Sequence, residues 1–181
     1  MTKKEEIIRV AFDAIQKSGV SGFSFRDLAK TVGIKSSSVH YYFPSKDDLF
    51  LGVLLYYKES LENSLQNIES SNSNLDSSIN GLIDVFQDAL SQNKFCFCGM
   101  LAAEISHIDV ETSEMLKVSF GIMHDWLVKI IKNYKPEIGA AESESKSRFL
   151  LSAMEGAILI DRVNGDIKGI ESLRAQLISF F

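Results

Sequence analysis

Leu49, Val53, Tyr57, Leu61 and Leu65 stand at strict four-residue intervals, flanked by Phe50 and Leu54. A strand needs its apolar residues at every second position, whereas a helix returns to one face every three or four. This ladder therefore specifies a long amphipathic helix reaching about residue 69. The same spacing governs most of the chain. Pro44 and Pro136 are the only prolines in 181 residues, so few positions forbid a helix. No segment shows the alternation of a half-buried strand, and there is no internal repeat. The expected fold class is all-α.

The other helices can be bounded from their residues. Ile8, Ala11, Phe12 and Ile15, widened by Ile7 and Ala14, predict a helix over residues 3–18, with Gly19 as its C-terminal cap. Ser24 with Asp27 three residues on has the form of a capping box. It opens a two-turn helix that buries Phe25, Leu28, Ala29 and Val32 and closes at Gly33. Ile34 anchors a tight turn, and Ser36 or Ser37 caps a third helix whose core residues are Val39 and Phe43. Pro44 stops that helix, and Ser45 with Asp48 caps the long one.

Residues 69–78, polar and serine-rich, read as a connector. Ile79, Leu82, Ile83, Phe86 and Leu90 mark the next helix, which residues 91–94 break. The apolar run that follows is helical from about Cys98. Further helices are expected over 112–134, over 144–163 and, carrying Ile170, Leu173, Leu177 and Ile178, over 169–179, with a loop at 135–143.

The net charge of −5 hides an uneven distribution. Residues 1–46 carry eight bases and four acids, giving +4, whereas the remainder carries eleven bases and twenty acids, giving −9. A basic head on an acidic body implies two tasks in one chain. No run of about 18 apolar residues is present to span a membrane. The charged N-terminus lacks the apolar run of a secretory signal, so a cytoplasmic location is expected. Cys96 and Cys98, one residue apart, are poorly spaced for a structural disulfide and are expected to be thiols. There is no phosphate-binding glycine loop, nucleophile elbow or HExxH zinc motif, so neither an enzyme nor a cofactor is expected.

The first three helices, with a glycine-containing turn before a polar-faced third, read as a helix-turn-helix domain. The residues go further. Ser24, Asp27-Leu28-Ala29, Gly33-Ile34, Tyr42-Phe43 and Ser45-Lys46-Asp47-Asp48-Leu49 occur in order within about 30 residues. In that order and spacing they resemble the DNA-binding domain of the TetR/AcrR family of bacterial transcriptional regulators. His40 departs from the pattern, since many members carry tyrosine there. The resemblance implies a helix-turn-helix domain over residues 1–47 and a helical effector-binding and dimerisation domain over residues 48–181.

With Val39 and Phe43 facing inward, the other face of the third helix is left to enter a major groove. Lys35, Ser36, Ser37 and Ser38 are short or basic enough to reach base edges or phosphates. His40, Tyr41 and Tyr42 can donate to phosphate oxygens. Lys46 adds charge at a helix N-terminus, where an anion is already favoured. Arg26 and Lys30, with Ser24 at the start of their helix, complete the expected contacts to double-stranded operator DNA.

Helix-turn-helix proteins commonly bind half-sites about 34 Å apart, which implies a two-fold homodimer. The 112–134 and 144–163 helices carry more apolar surface than one core uses, and Ser152, Gly156 and Ala157 would let another helix approach closely. By resemblance, these two helices pair with their symmetry mates as a four-helix bundle, and a small-molecule effector binds among the middle helices. Cys96, Gly99, Leu101, Ala102 and Glu104 match a pattern in a branch of the family that includes regulators of responses to reactive electrophiles. Cys96, near a helix start and two residues from Lys94, is read either as a reactive thiolate or, with Cys98, as a small buried hydrophobe. The expected lining is Cys96, Cys98, Met100, Phe120, Met123, His124 and Trp126. Two rivals stand beside the effector-released repressor. One is a metal-responsive sensor using Cys96, Cys98, His107 and His124, a spacing poor for zinc. The other is a constitutive DNA-binding protein without a ligand.

Overall fold

The structure, a computed structural model, describes residues 1–177 and 180–181. Among these residues every regular element is helical. The chain forms two compact units. One holds residues 1–60 and 96–119, the other residues 61–95 and 120–181. The expected division into 1–47 and 48–181 cuts the chain once. Residues 96–119 group with the N-terminal residues, where this segment packs on the first helix.

In the first unit, α1 (Lys3–Ser18) starts at a capping box formed by Thr2 and Glu5. Its buried line is Ile7, Ala11 and Ile15, one residue round from the expected centre, while Ile8, Phe12 and Ala14 are half-buried. α2 (Phe25–Val32) opens on Ser24 and buries the four residues expected of it. Gly33 closes it in the left-handed conformation, φ 72° and ψ 36°, a backbone that glycine adopts at little cost. The amides of Gly33 and Ile34 both donate to the Ala29 carbonyl.

That turn leaves a single residue, Lys35, before α3 (Ser36–Tyr42), so neither Ser36 nor Ser37 caps the helix. Lys35 occupies the cap position, with no side-chain bond there. Val39 and Phe43 are buried as expected. α4 (Lys46–Ser71) begins behind Ser45, whose hydroxyl accepts from the Asp48 amide at 3.1 Å while its own amide donates to the Asp48 carboxylate at 2.9 Å. Leu49, Phe50, Val53 and Leu54 line the core of this unit. α6 (Phe97–Ala103) contributes Phe97, Cys98 and Leu101 to the core. A 3-10 turn (Ile105–His107) follows, and α7 (Val110–Tyr134) begins in this unit.

In the second unit, α5 (Leu75–Ser91) starts earlier than expected. Asn74 caps it by accepting from the Ser77 amide at 2.8 Å, which shortens the connector to three residues, 72–74. α8 (Ala140–Asn164) likewise starts inside the expected loop, behind Gly139. α9 (Lys168–Leu177) buries Ile170 and Leu177. The expected contribution of Ile178 lies outside the described residues. Asp161, fully buried, accepts from the Gly169 and Ile170 amides at 2.7 and 2.8 Å and so caps α9 from α8. Arg174 ties α9 to α5 through Asn80 and Asp84, at 2.8 and 2.6 Å.

Candidate nucleic-acid interface

The candidate interface is built on α2 and α3, which pack on each other. Ser24 and Asp27 set where α2 begins. The Ser24 amide donates to the Asp27 carboxylate at 2.9 Å, its hydroxyl donates at 2.5 Å, and the Asp27 amide donates back to the hydroxyl at 3.3 Å. The Ser24 hydroxyl bond, then the Ser24 amide bond, hold the Asp27 carboxyl below the usual carboxylate range, with smaller help from Arg26 and Lys30. Ser24 is therefore committed to the cap of the helix that carries Arg26 and Lys30. Both of those are exposed on α2.

On α3, Val39 alone is buried. Lys35, Ser37, His40 and Tyr41 are exposed, and Ser36, Ser38 and Tyr42 are half-buried. Tyr41 is 81% exposed, an extreme for so large a side chain. Its ring meets Tyr42 edge-on at 5.2 Å, which limits how far it can swing. His40 is also steadied, with its ring edge-on to Phe25 at 4.8 Å. The result is a shallow ridge of hydroxyl, imidazole and ammonium groups over an apolar base, able to donate to phosphates and base edges.

Lys46 departs from this outward set. Its ammonium donates to the carbonyls of Val20 and Phe23 at 3.2 and 2.8 Å and lies 5.1 Å from the Phe23 ring. It fastens the start of α4 to the α1–α2 turn. Only the remaining N–H of the ammonium is left for a phosphate.

The expected effector residues separate into two groups. Cys96, Cys98 and Met100 lie on or just before α6 in the first unit. Phe120, Met123, His124 and Trp126 lie on α7 in the second. Both cysteines are buried, Cys98 completely. Met123 and Trp126 are buried, and Phe120 is half-buried. His124 is bound to α8. The Ser147 hydroxyl lies 2.8 Å from its Nδ1 and 3.0 Å from its carbonyl oxygen. Trp126 buries its Nε1 without a hydrogen-bond partner. Among the described residues no three His, Cys, Asp or Glu side chains gather as a metal site.

Two contacts are not among the sequence expectations, although Glu104 itself is named there as part of the family-branch pattern. Thr2 caps the helix that carries Lys3 and Lys4, and the Thr2-x-x-Glu5 spacing would have shown it. Glu104 binds the α1–α2 turn from α6, and no local signal reports that contact.

Residues 7–53 match the family described as bacterial regulatory proteins, tetR family. A TetR transcriptional regulator from Legionella pneumophila is 31% identical and superposes with a TM-score of 0.92, over 99% of this chain and 97% of that one. A TetR-family regulator from Agrobacterium tumefaciens, 23% identical, shares the fold at a TM-score of 0.90 over 98% and 96% of the two chains. An uncharacterised HTH-type transcriptional regulator of Lactococcus lactis is 25% identical over 179 residues, 93% of this chain and 88% of its own length.

Proposed function

The chain belongs to the TetR family of DNA-binding transcriptional regulators, and on that premise we propose that it is a homodimeric repressor released from its operator by a small-molecule effector. The observation that carries the DNA-reading part is the ridge on α3. A seven-residue helix that buries one side chain and holds Tyr41 at 81% exposure has an outward face that the core does not use. Tyr41, His40, Lys35 and the three serines would contact the groove, with Arg26 and Lys30 on the backbone.

The dimer is supported by α8. Phe149, Leu159, Ile160 and Val163 are exposed, and Ser152 and Gly156 fall on the same helical line. A β-carbon at Gly156 would meet no atom within 4 Å, so a second helix has room to approach there. An obligate interface of this kind commonly buries about 2,000 Å² or more. The effector reading is supported by Trp126, a buried donor that a ligand oxygen would satisfy. In this reading the effector binds the released state more tightly, and α4, which runs through both units, carries the change.

The test is recovery of genomic fragments by the purified protein, followed by footprinting and sedimentation. The expected result is an inverted repeat bound by a dimer, with protected patches about one helical turn apart. A small-molecule panel read by thermal shift and then by release from the recovered duplex tests the effector. Intact mass after electrophile treatment tests the cysteines. Failure to enrich any fragment would contradict the DNA-reading part, and a protein that no compound shifts or releases would be a constitutive binder.

A further inference from the structure

We propose that Glu104 is the positioning residue through which α6 controls the DNA-reading head. It would do so by accepting from the backbone N–H of Val20, whose carbonyl oxygen accepts from Lys46. The proposal rests on the reading of this chain as a DNA-binding regulator and adds the route by which the middle segment acts on the head.

Glu104 stands at the C-terminal cap of α6. A carboxylate is disfavoured there, because the helix dipole already places partial negative charge at that end. It is held by three donors from the α1–α2 turn. The Val20 amide donates to Oε1 at 2.8 Å, and the Ser21 amide and hydroxyl donate to Oε2 at 3.2 and 2.5 Å. His107 Nδ1 lies 3.9 Å from Oε2 on the solvent side. The partners in the turn are 83 and 84 residues distant in sequence. Gly19 makes the approach possible, since a β-carbon there would fall 2.0 Å from Oε1.

The other face of the same turn is held by Lys46, through the Val20 and Phe23 carbonyls. Val20 therefore donates its N–H to an anion on α6 and accepts on its C=O from a cation at the start of α4. Lys46 is the first residue of α4, one residue beyond Ser45, which ends the short link from α3. The Glu104–Val20–Lys46 line runs from α6 to the start of α4, which three residues separate from α3, within one compact unit.

α6 also meets α1 through Phe97, whose ring centroid is 5.0 Å from that of Phe12. The two contacts respond differently to movement. Aromatic pairs stay favourable over centroid separations of roughly 4.5–7 Å. Hydrogen bonds weaken steeply beyond about 3.5 Å or when misaligned. A displacement of α6 by about 1 Å is thus absorbed at Phe97 and broken at Glu104. The aromatic contact holds α6 in place, and the carboxylate reports its position to the head.

The experiment uses a duplex recovered from genomic DNA by the full-length wild-type protein and reads affinity by fluorescence anisotropy. Glu104→Ala is expected to weaken binding about tenfold, the scale of a hydrogen-bonded charge lost, at a temperature where circular dichroism shows the protein folded. Cys98→Ala, a truncation at a fully buried position of α6, is expected to change affinity when Glu104 is present and to have no further effect alongside Glu104→Ala. A merely structural Glu104 would not produce that non-additivity. If Glu104→Ala does not fold, Ser21→Ala replaces it, with about threefold weakening and partial loss of the Cys98→Ala effect. Affinity within twofold of wild type, two substitutions whose effects simply add, or a Cys98→Ala change that is silent in both backgrounds would each overturn the proposal. If the wild type recovers no duplex, the DNA-reading premise itself falls, an outcome distinct from a wild type that binds and a Glu104→Ala variant that binds equally well.

Discussion

α3 and α6 are both seven residues long, both belong to the first compact unit, and neither has a side-chain cap at its N-terminus. Helices this short are unstable alone and form only when packing holds them. α3 is held by Val39 with Phe43 just beyond it, and leaves Ser37, His40 and Tyr41 exposed. α6 buries Phe97, Cys98 and Leu101 and leaves only Ala102 and Ala103, at its C-terminal end, exposed. Under the proposed function, the difference would let one unit support both tasks. A helix fixed on one narrow line keeps a face for a partner, and a helix fixed deeply moves only with the core and makes a lever.

The largest effect expected from this contrast is on stability. Phe97→Ala should cost about 3–5 kcal/mol in urea unfolding, because it empties a fully packed aromatic site on α6. Tyr41→Ala should stay within about 0.5 kcal/mol of wild type, since its side chain is mostly in water. Equal losses would remove the distinction between the two helices.

The next effect is on DNA affinity, where the order reverses. Tyr41→Ala should weaken binding to a recovered duplex about tenfold in a gel-shift or anisotropy titration. Lys30→Ala should weaken it less. It should also lower the slope of log affinity against log salt by about 1, as expected for one lost phosphate contact. A Lys30→Ala variant with an unchanged slope would place that lysine off the DNA.

A smaller effect separates α2 from α3 by pH. The Asp27 carboxyl is held below its ordinary range in the folded head, chiefly by Ser24. The unfolded chain therefore takes up a proton first as pH falls. The stability that Asp27 contributes is complete above the unfolded carboxylate value and is lost as pH falls through the lower folded value. Asp27→Asn should flatten that part of the acid-unfolding profile, monitored by circular dichroism. α3, with no such cap, should add no step of its own there.

The features legible in the sequence were those whose partners lie within one turn. Ser24 with Asp27, Ser45 with Asp48 and the left-handed Gly33 are three or four residues from what they bind, and all stand as expected. Thr2 with Glu5 has the same spacing and was equally readable. Asn74 shows where composition misled, because a serine-rich stretch read as connector becomes helix once its cap is recognised. The inward turn of Lys46 and the grip of Glu104 depend on residues brought close only by folding. α3 was legible for a different reason, since a segment rich in polar and aromatic residues with a single core line has few places to go.

The central claim is that the outward face of α3 is what meets DNA. Hydroxyl-radical labelling of wild-type protein, with and without a recovered duplex, tests it most directly. Tyr41 should lose most of its labelling when the duplex is bound, while Val85, 43% exposed on α5 in the other unit, keeps the labelling of the free protein. A saturated complex in which Tyr41 is labelled as fast as in the free protein would contradict the account.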